Sequence, residues 1–276
     1  MKNKIHILII GYSNIAKKRY INYFKKKNFL YSIASKSHRQ KIQGVLHQYA
    51  NYEMALKKSN AKIVYISLPN SLHYFWAKKA LNYGYHVIVD KPLCDTYLKS
   101  LELINLAKNK KKLISEAIFY NYHRQIKESL KILGGKKNIL RLDANFTIPK
   151  PPKSSILLSK KLNGGVIMDM GPYAASIHRI FFNLKIINKK FSINLNKKKL
   201  PLEMNLKIFY HNKNYNGKFQ FCGKYKNQII LFSKNYKIIM NRVFSPPDDL
   251  DLHLDVTKKK SKYRIVLKKD NCFANY

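Results

Sequence analysis

The chain has 276 residues, enough for one large domain or two modest ones, and 46% of them are hydrophobic, which excludes an intrinsically disordered chain. It carries 54 basic and 14 acidic residues, and a net charge of +40 attracts phosphates, nucleic acid or anionic lipid. The lysines are spread along the whole chain, and Asn, Ile, Tyr and Phe are also plentiful. We therefore favour compositional drift toward AT-rich codons as the cause, with a selected polyanion-binding surface as the alternative.

The cysteines are few and scattered. Cys94, Cys222 and Cys272 are an odd set without a C-x-x-C pair, and they form neither a disulfide framework nor a zinc site. This pattern predicts a reducing, cytoplasmic location and no bound metal. The apolar run at residues 5–10 is too short for a signal peptide, and no run approaches the length of a membrane span, so we expect no membrane association.

The first half of the chain alternates between short apolar runs and helical patterns. The predicted strands cover residues 5–10, 31–35, 63–67, 86–89 and 113–117. The predicted helices cover residues 14–27, 53–58 and 96–109, and a further helix opens at Pro69 and ends before Gly84. Continuous apolar runs are typical of buried parallel strands, and intervening helices predict a Rossmann-type, doubly wound α/β sheet.

A glycine turn follows the first predicted strand. Residues 11–16, Gly-Tyr-Ser-Asn-Ile-Ala, are close to the G-x-G-x-x-G/A pattern of dinucleotide-binding turns. Gly11 permits the tight turn, and the next helix offers N–H groups to a pyrophosphate. Ser13 departs from the pattern because it adds a Cβ where the pyrophosphate approaches, although its hydroxyl can donate instead. We predict that Gly11, Ser13, Asn14 and Ile15 contact a dinucleotide; an ordinary strand–helix turn is the alternative.

The end of the second predicted strand indicates which dinucleotide is bound. An NAD site places an acidic residue there, whereas the first acidic residue of this chain is Glu53, well beyond that position. Ser35, Lys36 and Arg39 stand there instead, and a hydroxyl with two cations suits the 2′-phosphate of NADP. We therefore predict NADP, with NAD as the alternative. On the other interpretation, Lys36 and Arg39 are two more surface bases of a basic protein.

Three later segments resemble the glucose–fructose oxidoreductase/inositol dehydrogenase (Gfo/Idh/MocA) family. Residues 68–73, Leu-Pro-Asn-Ser-Leu-His, and residues 90–93, Asp-Lys-Pro-Leu, are similar to its P-N-x-x-H and E-K-P motifs. Residues 164–173, Gly-Gly-Val-Ile-Met-Asp-Met-Gly-Pro-Tyr, are similar to its catalytic helix. The similarity extends over nearly the whole chain.

The resemblance implies a two-domain oxidoreductase. Residues 1–118 would form the NAD(P)-binding domain, and residues 119–276 an α/β domain with an open, mostly antiparallel sheet that often forms a subunit interface in this family. We therefore expect a homo-oligomer. Because relatives continue into a terminal helix beyond the position of Tyr276, the second domain is expected to lack that helix. The resemblance adds cofactor contacts by Leu68, Pro69, Asn70, His73 and Asp90, and substrate contacts by Asn121, Tyr122 and His123.

The resemblance also implies the catalytic residues. Reduction of a carbonyl by a nicotinamide requires a matched proton transfer at the oxygen. By resemblance, Lys91 would polarise that oxygen and Tyr173 would donate the proton. A phenol has an ordinary pKa near 10, which an adjacent ammonium lowers. Asp169 lies four residues before Tyr173, on the same helical face, and would orient Lys91 or substrate hydroxyls. A purely structural tyrosine is the alternative.

Several residues depart from the family pattern or invite a second interpretation. Asp90 is a methylene shorter than the usual glutamate, Asn121 replaces a frequent arginine, and Ser176 replaces a frequent aspartate. His123 and His178 are interpreted as hydrogen-bonded structural histidines rather than acid–base groups. Four polar residues alternate with apolar ones near the C-terminus, which predicts a solvated strand face rather than a metal site: Asp249, Asp251, His253 and Asp255.

The sequence therefore predicts an NADP-dependent oxidoreductase acting on a sugar-like alcohol or ketone. A nucleotide-linked sugar is the narrower hypothesis, because the chain is strongly positive and residues 244–247, Phe-Ser-Pro-Pro, resemble a branch active on deoxysugar nucleotides. One alternative is a non-catalytic family member that keeps the fold. The other is a nucleic-acid-binding protein, which would need basic and aromatic residues concentrated on one surface.

Overall fold

The computed structural model of the protein describes residues 4–27, 29–38 and 40–276, except for the side chain of Lys26. The chain forms two compact units. Unit 1 comprises residues 1–117 and 161–163, and unit 2 comprises residues 118–160 and 164–276. The sequence had placed the division between residues 118 and 119.

Unit 1 is built on a six-stranded parallel sheet. Its strands are β1 (His6–Ile10), β2 (Leu30–Ala34), β3 (Gln48–Tyr49), β4 (Ile63–Ile66), β5 (His86–Asp90) and β6 (Ile114–Ala117). They lie in the order β3-β2-β1-β4-β5-β6, and every neighbouring pair is parallel. This order reverses beside β1, which opens a crevice at the carboxyl ends of the strands. The predicted Rossmann-type sheet is confirmed; β3, with two residues, is too short to give a periodic signal.

Helices connect these strands. A π-helical turn (Ala16–Ile21) leads into α1 (Asn22–Lys27), and a 3₁₀ turn (Asn70–Leu72) leads into α3. The other helices are α2 (Tyr52–Lys58), α3 (His73–Asn82) and α4 (Tyr97–Asn109). The side chains of Asn51 and Thr96 cap α2 and α4 by accepting backbone N–H groups. Strand residues Leu8, Ile10, Val64 and Ile66 form one buried apolar cluster with Ala77, Ala80 and Leu81 of α3.

Unit 2 is built on an eight-stranded sheet. Its strands are β7 (Arg141–Thr147), β8 (Asn188–Leu195), β9 (Pro201–Phe209), β10 (Asn214–Gln220), β11 (Lys226–Phe232), β12 (Tyr236–Asn241), β13 (Leu252–Lys258) and β14 (Ser261–Leu267). The order is β14-β13-β12-β11-β7-β10-β9-β8. Neighbours are antiparallel except for the parallel pair β7 and β10, so the predicted open, mostly antiparallel sheet is confirmed.

Helices and one face of this sheet form the core of unit 2. The helices are α5 (Arg124–Leu133), α6 (Val166–Ile177) and the short α7 (Cys272–Asn275), with a π-helical turn at His178–Phe182. The fully buried strand residues include Leu142, Tyr215, Phe219, Ile229, Leu231, Ile238 and Met240. The alternate residues point to the opposite face, where Arg141 lies 4.0 Å from the centre of the Phe232 ring.

The acidic stretch before and within β13 lies partly on that opposite face. Asp255 accepts a hydrogen bond from the Nε of Arg264 at 2.8 Å, and His253 lies 3.6 Å from the same carboxyl group. Asp251 accepts the backbone N–H of Lys269. Among the described residues, no group of three His, Cys, Asp or Glu side chains is arranged to hold a metal ion. In the same part of the chain, no helix has the length and apolar character needed to cross a membrane.

Candidate active site

The turn after β1 requires a glycine. Gly11 has a φ of +99°, and a Cβ at this position would overlap the carbonyl oxygen of Ser67 and approach the carbonyl carbon to 2.8 Å. The Gly11 N–H donates to the carbonyl of Ala34 at 2.9 Å, and the Ser67 N–H donates to that of Ile10 at 2.8 Å. The ends of β1, β2 and β4 therefore meet so closely at Gly11 that no side chain fits there, which explains the glycine of this turn.

The hydroxyl of Ser13 is engaged within the protein. Its oxygen accepts the N–H of Ala16 at 3.0 Å, which caps the start of the helix, and it lies 2.6 Å from the hydroxyl oxygen of Ser67. The predicted contact of Ser13 with a pyrophosphate stays a prediction. Asn14 and Ile15 are exposed at the start of the helix, in agreement with their predicted role in the turn.

The end of β2 carries the residues predicted to select NADP. Ser35 is buried, and its hydroxyl accepts the N–H of His38 at 3.1 Å, which orders the turn that follows the strand. Lys36 is exposed, and its ammonium lies 5.1 Å from the centre of the Tyr52 ring. Arg39, also predicted to contact the 2′-phosphate, lies outside the described residues.

Glu53, the first acidic residue of the chain, is bonded to two other residues of unit 1. The Glu53 carboxylate is paired with the ammonium of Lys79 and accepts the hydroxyl of Tyr83 at 2.8 Å. These hydrogen bonds lower the pKa of Glu53. The nearest acid in the sequence therefore already has partners within unit 1, which agrees with the absence of an acidic residue at the end of β2.

Asp90, the last residue of β5, accepts hydrogen bonds from two hydroxyl groups. Ser67 donates to its Oδ2 at 2.7 Å, and Tyr65 donates to its Oδ1. Burial raises the pKa of Asp90, while the two hydroxyls and the nearby His73 and Lys91 act in the opposite direction. Burial and the neighbouring Asp90 raise the pKa of Tyr65 well above its ordinary value, so the phenol stays a donor.

His73 connects the loop after β4 to the turn after β5. Its Nδ1 lies 2.7 Å from the carbonyl oxygen of Pro92, and its Nε2 lies 2.8 Å from that of Leu68. The residue is 0% exposed, so its ring has no surface with which to contact a cofactor. Its two ring nitrogens instead lie against backbone carbonyls, and the predicted cofactor contact of His73 stays a prediction. Lys91 follows β5 directly and precedes Pro92 across a cis peptide bond.

Two further contacts fix this edge of unit 1. The N–H of Leu93 donates to the Glu116 carboxylate at 2.9 Å, which holds the segment after Lys91 against β6. The side-chain amide of Asn70 donates to the carbonyl of Asn163 at 2.9 Å. Leu68, Pro69 and Asn70 all lie half-buried in the loop after β4, at the carboxyl edge of the sheet.

In unit 2, two glycines determine where α6 begins. A Cβ on Gly164 would lie 2.5 Å from the carbonyl oxygen of Leu157, and Gly165 has a φ of +97° with Pro201 only 3.1 Å from the position of a Cβ. These close approaches explain the Gly-Gly pair found in the sequence. Asp169 and Tyr173 then lie one turn apart on α6, and both are half-buried.

Aromatic rings surround Tyr173. Its ring centre is 5.6 Å from that of Phe146, 5.8 Å from Tyr120 and 5.4 Å from Phe244. Tyr120 also hydrogen-bonds through its hydroxyl to Ser176 at 2.8 Å, so Ser176 holds a neighbour of Tyr173 in place. Phe244 is 3% exposed and packs against all three other rings, a role that no local sequence signal indicated.

The predicted substrate residues lie in the segment before α5. His123 is 2% exposed, and its Nδ1 accepts the N–H of Gln125 at 3.2 Å, so it caps α5 instead of facing a ligand. Burial lowers the pKa of His123, which keeps the ring neutral and able to accept. Tyr122 is 44% exposed. The side-chain oxygen of Asn121 is buried, and it has no hydrogen-bond partner among the described residues.

His178 is also structural. Its Nδ1 lies 2.9 Å from the hydroxyl of Tyr210, and the two rings are stacked with centres 5.7 Å apart. Both His123 and His178 are thus hydrogen-bonded within unit 2, as expected, and their structural role stays a prediction.

The sequence of unit 1 matches one family. Residues 5–118 fit the family model GFO_IDH_MocA, described as an oxidoreductase family with an NAD-binding Rossmann fold. Residues 5–118 of the chain therefore match the Gfo/Idh/MocA oxidoreductase family. The resemblance inferred from the sequence motifs is thus confirmed.

Two relatives match different lengths of this chain. D-xylose 1-dehydrogenase (NADP(+)) 2 of Haloferax volcanii is 29% identical over 140 residues, which cover 50% of this chain and 43% of the relative. A dTDP-3,4-didehydro-2,6-dideoxy-alpha-D-glucose 3-reductase of Saccharopolyspora spinosa is 24% identical over 214 residues, which cover 75% of this chain and 64% of the relative. The matched region thus spans less than two thirds of either relative.

Solved structures share the fold. KijD10, a 3-ketoreductase from Actinomadura kijaniata solved with NADP and TDP-benzene, superimposes with a TM-score of 0.88 over 99% of this chain and 87% of that one, at 22% identity. The aldose–aldose oxidoreductase of Caulobacter crescentus, complexed with glycerol, superimposes with a TM-score of 0.86 at 15% identity, with the same coverage of both chains. At 22% and 15% sequence identity, the structural similarity establishes the fold alone.

Proposed function

We propose that this protein is an NADP-dependent oxidoreductase that transfers a hydride between the nicotinamide and a sugar-like alcohol or ketone. One observation carries the proposal. Hydrogen bonds from Ser13 through Ser67 to Asp90 link the glycine turn after β1 to the residue before Lys91. The turn suited to a dinucleotide and the lysine suited to a reacting oxygen therefore lie at the same edge of one sheet.

The residues present fit a dinucleotide. Gly11 permits the tight turn between β1 and the following helix, and Asn14 and Ile15 are exposed at the helix start. At the end of β2, the Ser35 hydroxyl and the Lys36 ammonium stand where an NAD site needs a carboxylate. The NADP dependence of the Haloferax relative and the NADP in the Actinomadura structure support the same choice of cofactor.

The protein's own residues would orient and protonate the substrate. The nicotinamide supplies or accepts the hydride when bound. We assign Lys91 to hydrogen-bond the reacting oxygen and Tyr173 to donate its proton during reduction, a contribution of typically 10²–10⁴-fold for a general acid. Asp169, on the same face of α6 as Tyr173, would accept hydrogen bonds from substrate hydroxyls.

A nucleotide-linked sugar is the narrower proposal. The Saccharopolyspora relative reduces a dTDP-linked keto sugar by name, and a net charge of +40 would speed the capture of a diphosphate. In unit 2, the partnerless oxygen of Asn121 is suited to accept a sugar hydroxyl, and the exposed ring of Tyr122 lies two residues before the start of α5.

The cofactor proposal is tested by titrating the protein with NADPH and with NADH and following nicotinamide fluorescence. We expect NADPH to bind at least about tenfold more tightly, and Lys36→Glu to remove most of that preference, because one charge-assisted hydrogen bond contributes about 1.5–3 kcal/mol. Lys58→Glu makes the same change in net charge on the exposed end of α2 and should leave the ratio unchanged. A parent protein that prefers NADH would contradict the proposal.

The substrate proposal is tested by incubating the protein with NADPH and a panel of keto sugars, each supplied free and as its dTDP conjugate. We expect consumption of NADPH with at least one member and a higher kcat/KM for the dTDP-linked form. Equal values for the free and linked forms would remove the nucleotide from the proposal. NADPH binding without turnover across the panel would instead favour the non-catalytic alternative.

We further propose that the protein associates through the open face of the eight-stranded sheet. The helices pack on one face, whereas the opposite face presents half-buried apolar residues such as Ile230, Phe232 and Ile239 among charged ones. Sedimentation velocity of the parent and of Ile230→Glu is the test. A parent that sediments as a monomer across the concentration range would refute this association.

A further inference from the structure

A directional chain of hydrogen bonds crosses the carboxyl edge of the sheet in unit 1. Because the carboxylate of Asp90 only accepts, the hydroxyls of Ser67 and Tyr65 must donate to it. The oxygen of Ser67 is then left to accept the hydroxyl of Ser13, 2.6 Å away, and the oxygen of Ser13 accepts the N–H of Ala16. Every donor in this chain therefore points toward Asp90.

The chain joins three elements that are distant in sequence. Ser13 belongs to the turn after β1, Ser67 follows β4, and Asp90 ends β5, immediately before Lys91. A second tie holds the other side of that lysine, since His73 lies 2.7 Å from the carbonyl oxygen of Pro92. Lys91 is thus flanked on both sides by residues fixed through buried or half-buried polar contacts.

The carboxylate of Asp90 is held by two hydroxyl donors in a buried environment. Burial raises the pKa of Asp90, while the hydroxyls of Tyr65 and Ser67 act in the opposite direction. By linkage, the contribution of a group with a raised pKa to the free energy of unfolding is greatest below its unfolded pKa and is lost as the pH rises through the folded pKa. A perturbed, hydrogen-bonded carboxyl group next to Lys91 is a candidate for a role in binding or chemistry.

We infer that Ser13, Ser67 and Asp90 are positioning residues that couple occupation of the dinucleotide turn to the placement of Lys91. The inference rests on the proposed function, because it takes the turn after β1 to be the dinucleotide site. A bound pyrophosphate would fix the turn that carries Ser13. The hydroxyl of Ser67 would transmit that constraint to Asp90, and Asp90 would fix the end of β5 from which Lys91 extends.

A double-mutant cycle on NADPH binding tests the coupling. Ser13→Ala and Asp90→Asn should each raise the Kd for NADPH about fivefold, the equivalent of one hydrogen bond of about 1 kcal/mol. If the chain transmits the effect, the double variant should also lose about fivefold rather than the roughly 25-fold of independent sites. In a Ser67→Ala background, where the link is absent, the effect of Asp90→Asn should fall to near zero.

Ser32→Ala is the matched control. Ser32 is fully buried in β2 and hydrogen-bonded to the Nε2 of His6 at 2.9 Å, so the substitution removes a similar bond from the same sheet, but in the middle of a strand. It should lower the melting temperature about as much as Ser67→Ala does and leave the Kd for NADPH unchanged. When a substrate has been identified with the keto-sugar panel, Ser67→Ala should also lower kcat about fivefold at saturating NADPH, whereas Ser32→Ala should not.

The outcomes separate the two proposals. If the parent binds NADPH and the losses of Ser13→Ala and Asp90→Asn multiply, each residue acts on its own and the coupling is wrong. The coupling is also wrong if Ser32→Ala weakens NADPH binding as much as Ser67→Ala, because the effect would then follow stability. If the parent does not bind NADPH at all, the proposed function fails and the coupling fails with it.

Discussion

The two units hold their candidate functional residues by different physical means. In unit 1, the residues around Lys91 are fixed by hydrogen bonds that join Ser13, Ser67 and Asp90 and by the contact of His73 with the carbonyl of Pro92. In unit 2, Tyr173 is held chiefly by the packing of aromatic rings. Hydrogen bonds fix direction, so a small change in one hydroxyl is felt along the chain, whereas ring packing fixes the position of the ring through its faces and edges.

This difference has a consequence for substitution. Removing a hydroxyl in unit 1 should disturb both structure and binding, because the hydroxyls are themselves the supports. Removing the hydroxyl of Tyr173 should leave its support intact, since Phe146, Tyr120 and Phe244 contact the ring. Removal of a hydroxyl therefore distinguishes a structural from a catalytic role for Tyr173 in unit 2. It does not make that distinction for the serine hydroxyls of unit 1.

The largest expected effect comes from Tyr173→Phe. We expect turnover to fall about 10²–10⁴-fold, because the proposed proton donor is lost, while the melting temperature stays within error of the parent. Tyr215→Phe is the matched control: Tyr215 is fully buried in the same unit, and its hydroxyl has no hydrogen-bond partner. Unchanged turnover in Tyr173→Phe would remove this tyrosine from the proposed chemistry.

The next effect concerns the rings themselves. Phe244→Ala should lower the free energy of unfolding of unit 2 by about 3–5 kcal/mol, the range for a buried phenylalanine. Because Trp76, the only tryptophan, is buried in unit 1, its fluorescence reports on that unit, and circular dichroism reports on the whole chain. Phe191→Ala, at a side chain that is 55% exposed, should change neither signal appreciably. A loss confined to the Trp76 signal would contradict the expectation.

Gly11→Ala tests the close approach of the Gly11 and Ser67 backbones in unit 1. We expect the Kd for NADPH to rise about 100-fold, because the new Cβ meets the carbonyl of Ser67 and the residue must also keep a φ of +99°. Gly135→Ala has the same backbone requirement, at φ +101°, with no atom within 4 Å of the added Cβ. That variant should lose only the backbone strain energy, about 1–3 kcal/mol, and bind NADPH normally. Equal binding by both variants would show that the close approach does not matter.

The smallest expected effect is a pH dependence of stability. Burial lowers the pKa of His6, His123 and His178, so the unfolded chain takes up protons at these sites before the folded chain does. The free energy of unfolding should therefore be highest above the unfolded pKa of about 6.5 and fall as the pH drops through the lower folded values. His123→Asn keeps a capping oxygen for α5 and should reduce the slope, as measured by thermal unfolding between pH 8 and pH 5. A slope that is unchanged in this variant would count against the assignment of His123.

Much of the fold of unit 1 was predictable from local patterns. Buried parallel strands appear as continuous apolar runs, and a glycine after the first run is a local signal with a local cause. The Gly-Gly pair before α6 is also a local sequence signal. The spacing of Asp169 and Tyr173 predicted that both lie on one face of the helix, because helical periodicity places residues four apart on one face. The two-residue strand β3 gave no such signal, since periodicity cannot appear in two residues.

The partners of these residues were not predictable. The sequence placed the Ser13 hydroxyl and the His73 ring against a cofactor, whereas the structure gives both of them protein partners. Nothing near Tyr173 in the sequence pointed to Phe244, which is part of a different segment of unit 2.

The sequence alone determined the alternation of strand and helix, the glycine turn, and the lysine and tyrosine that carry the proposed chemistry, because each depends on residues close together in the chain. Only the tertiary structure decided which hydroxyls meet Asp90, which carbonyls meet His73 and which rings enclose Tyr173. Those contacts join residues from 5 to 54 positions apart in the hydrogen-bonded cases. Their geometry is set by how strands and helices pack, and no local pattern records it.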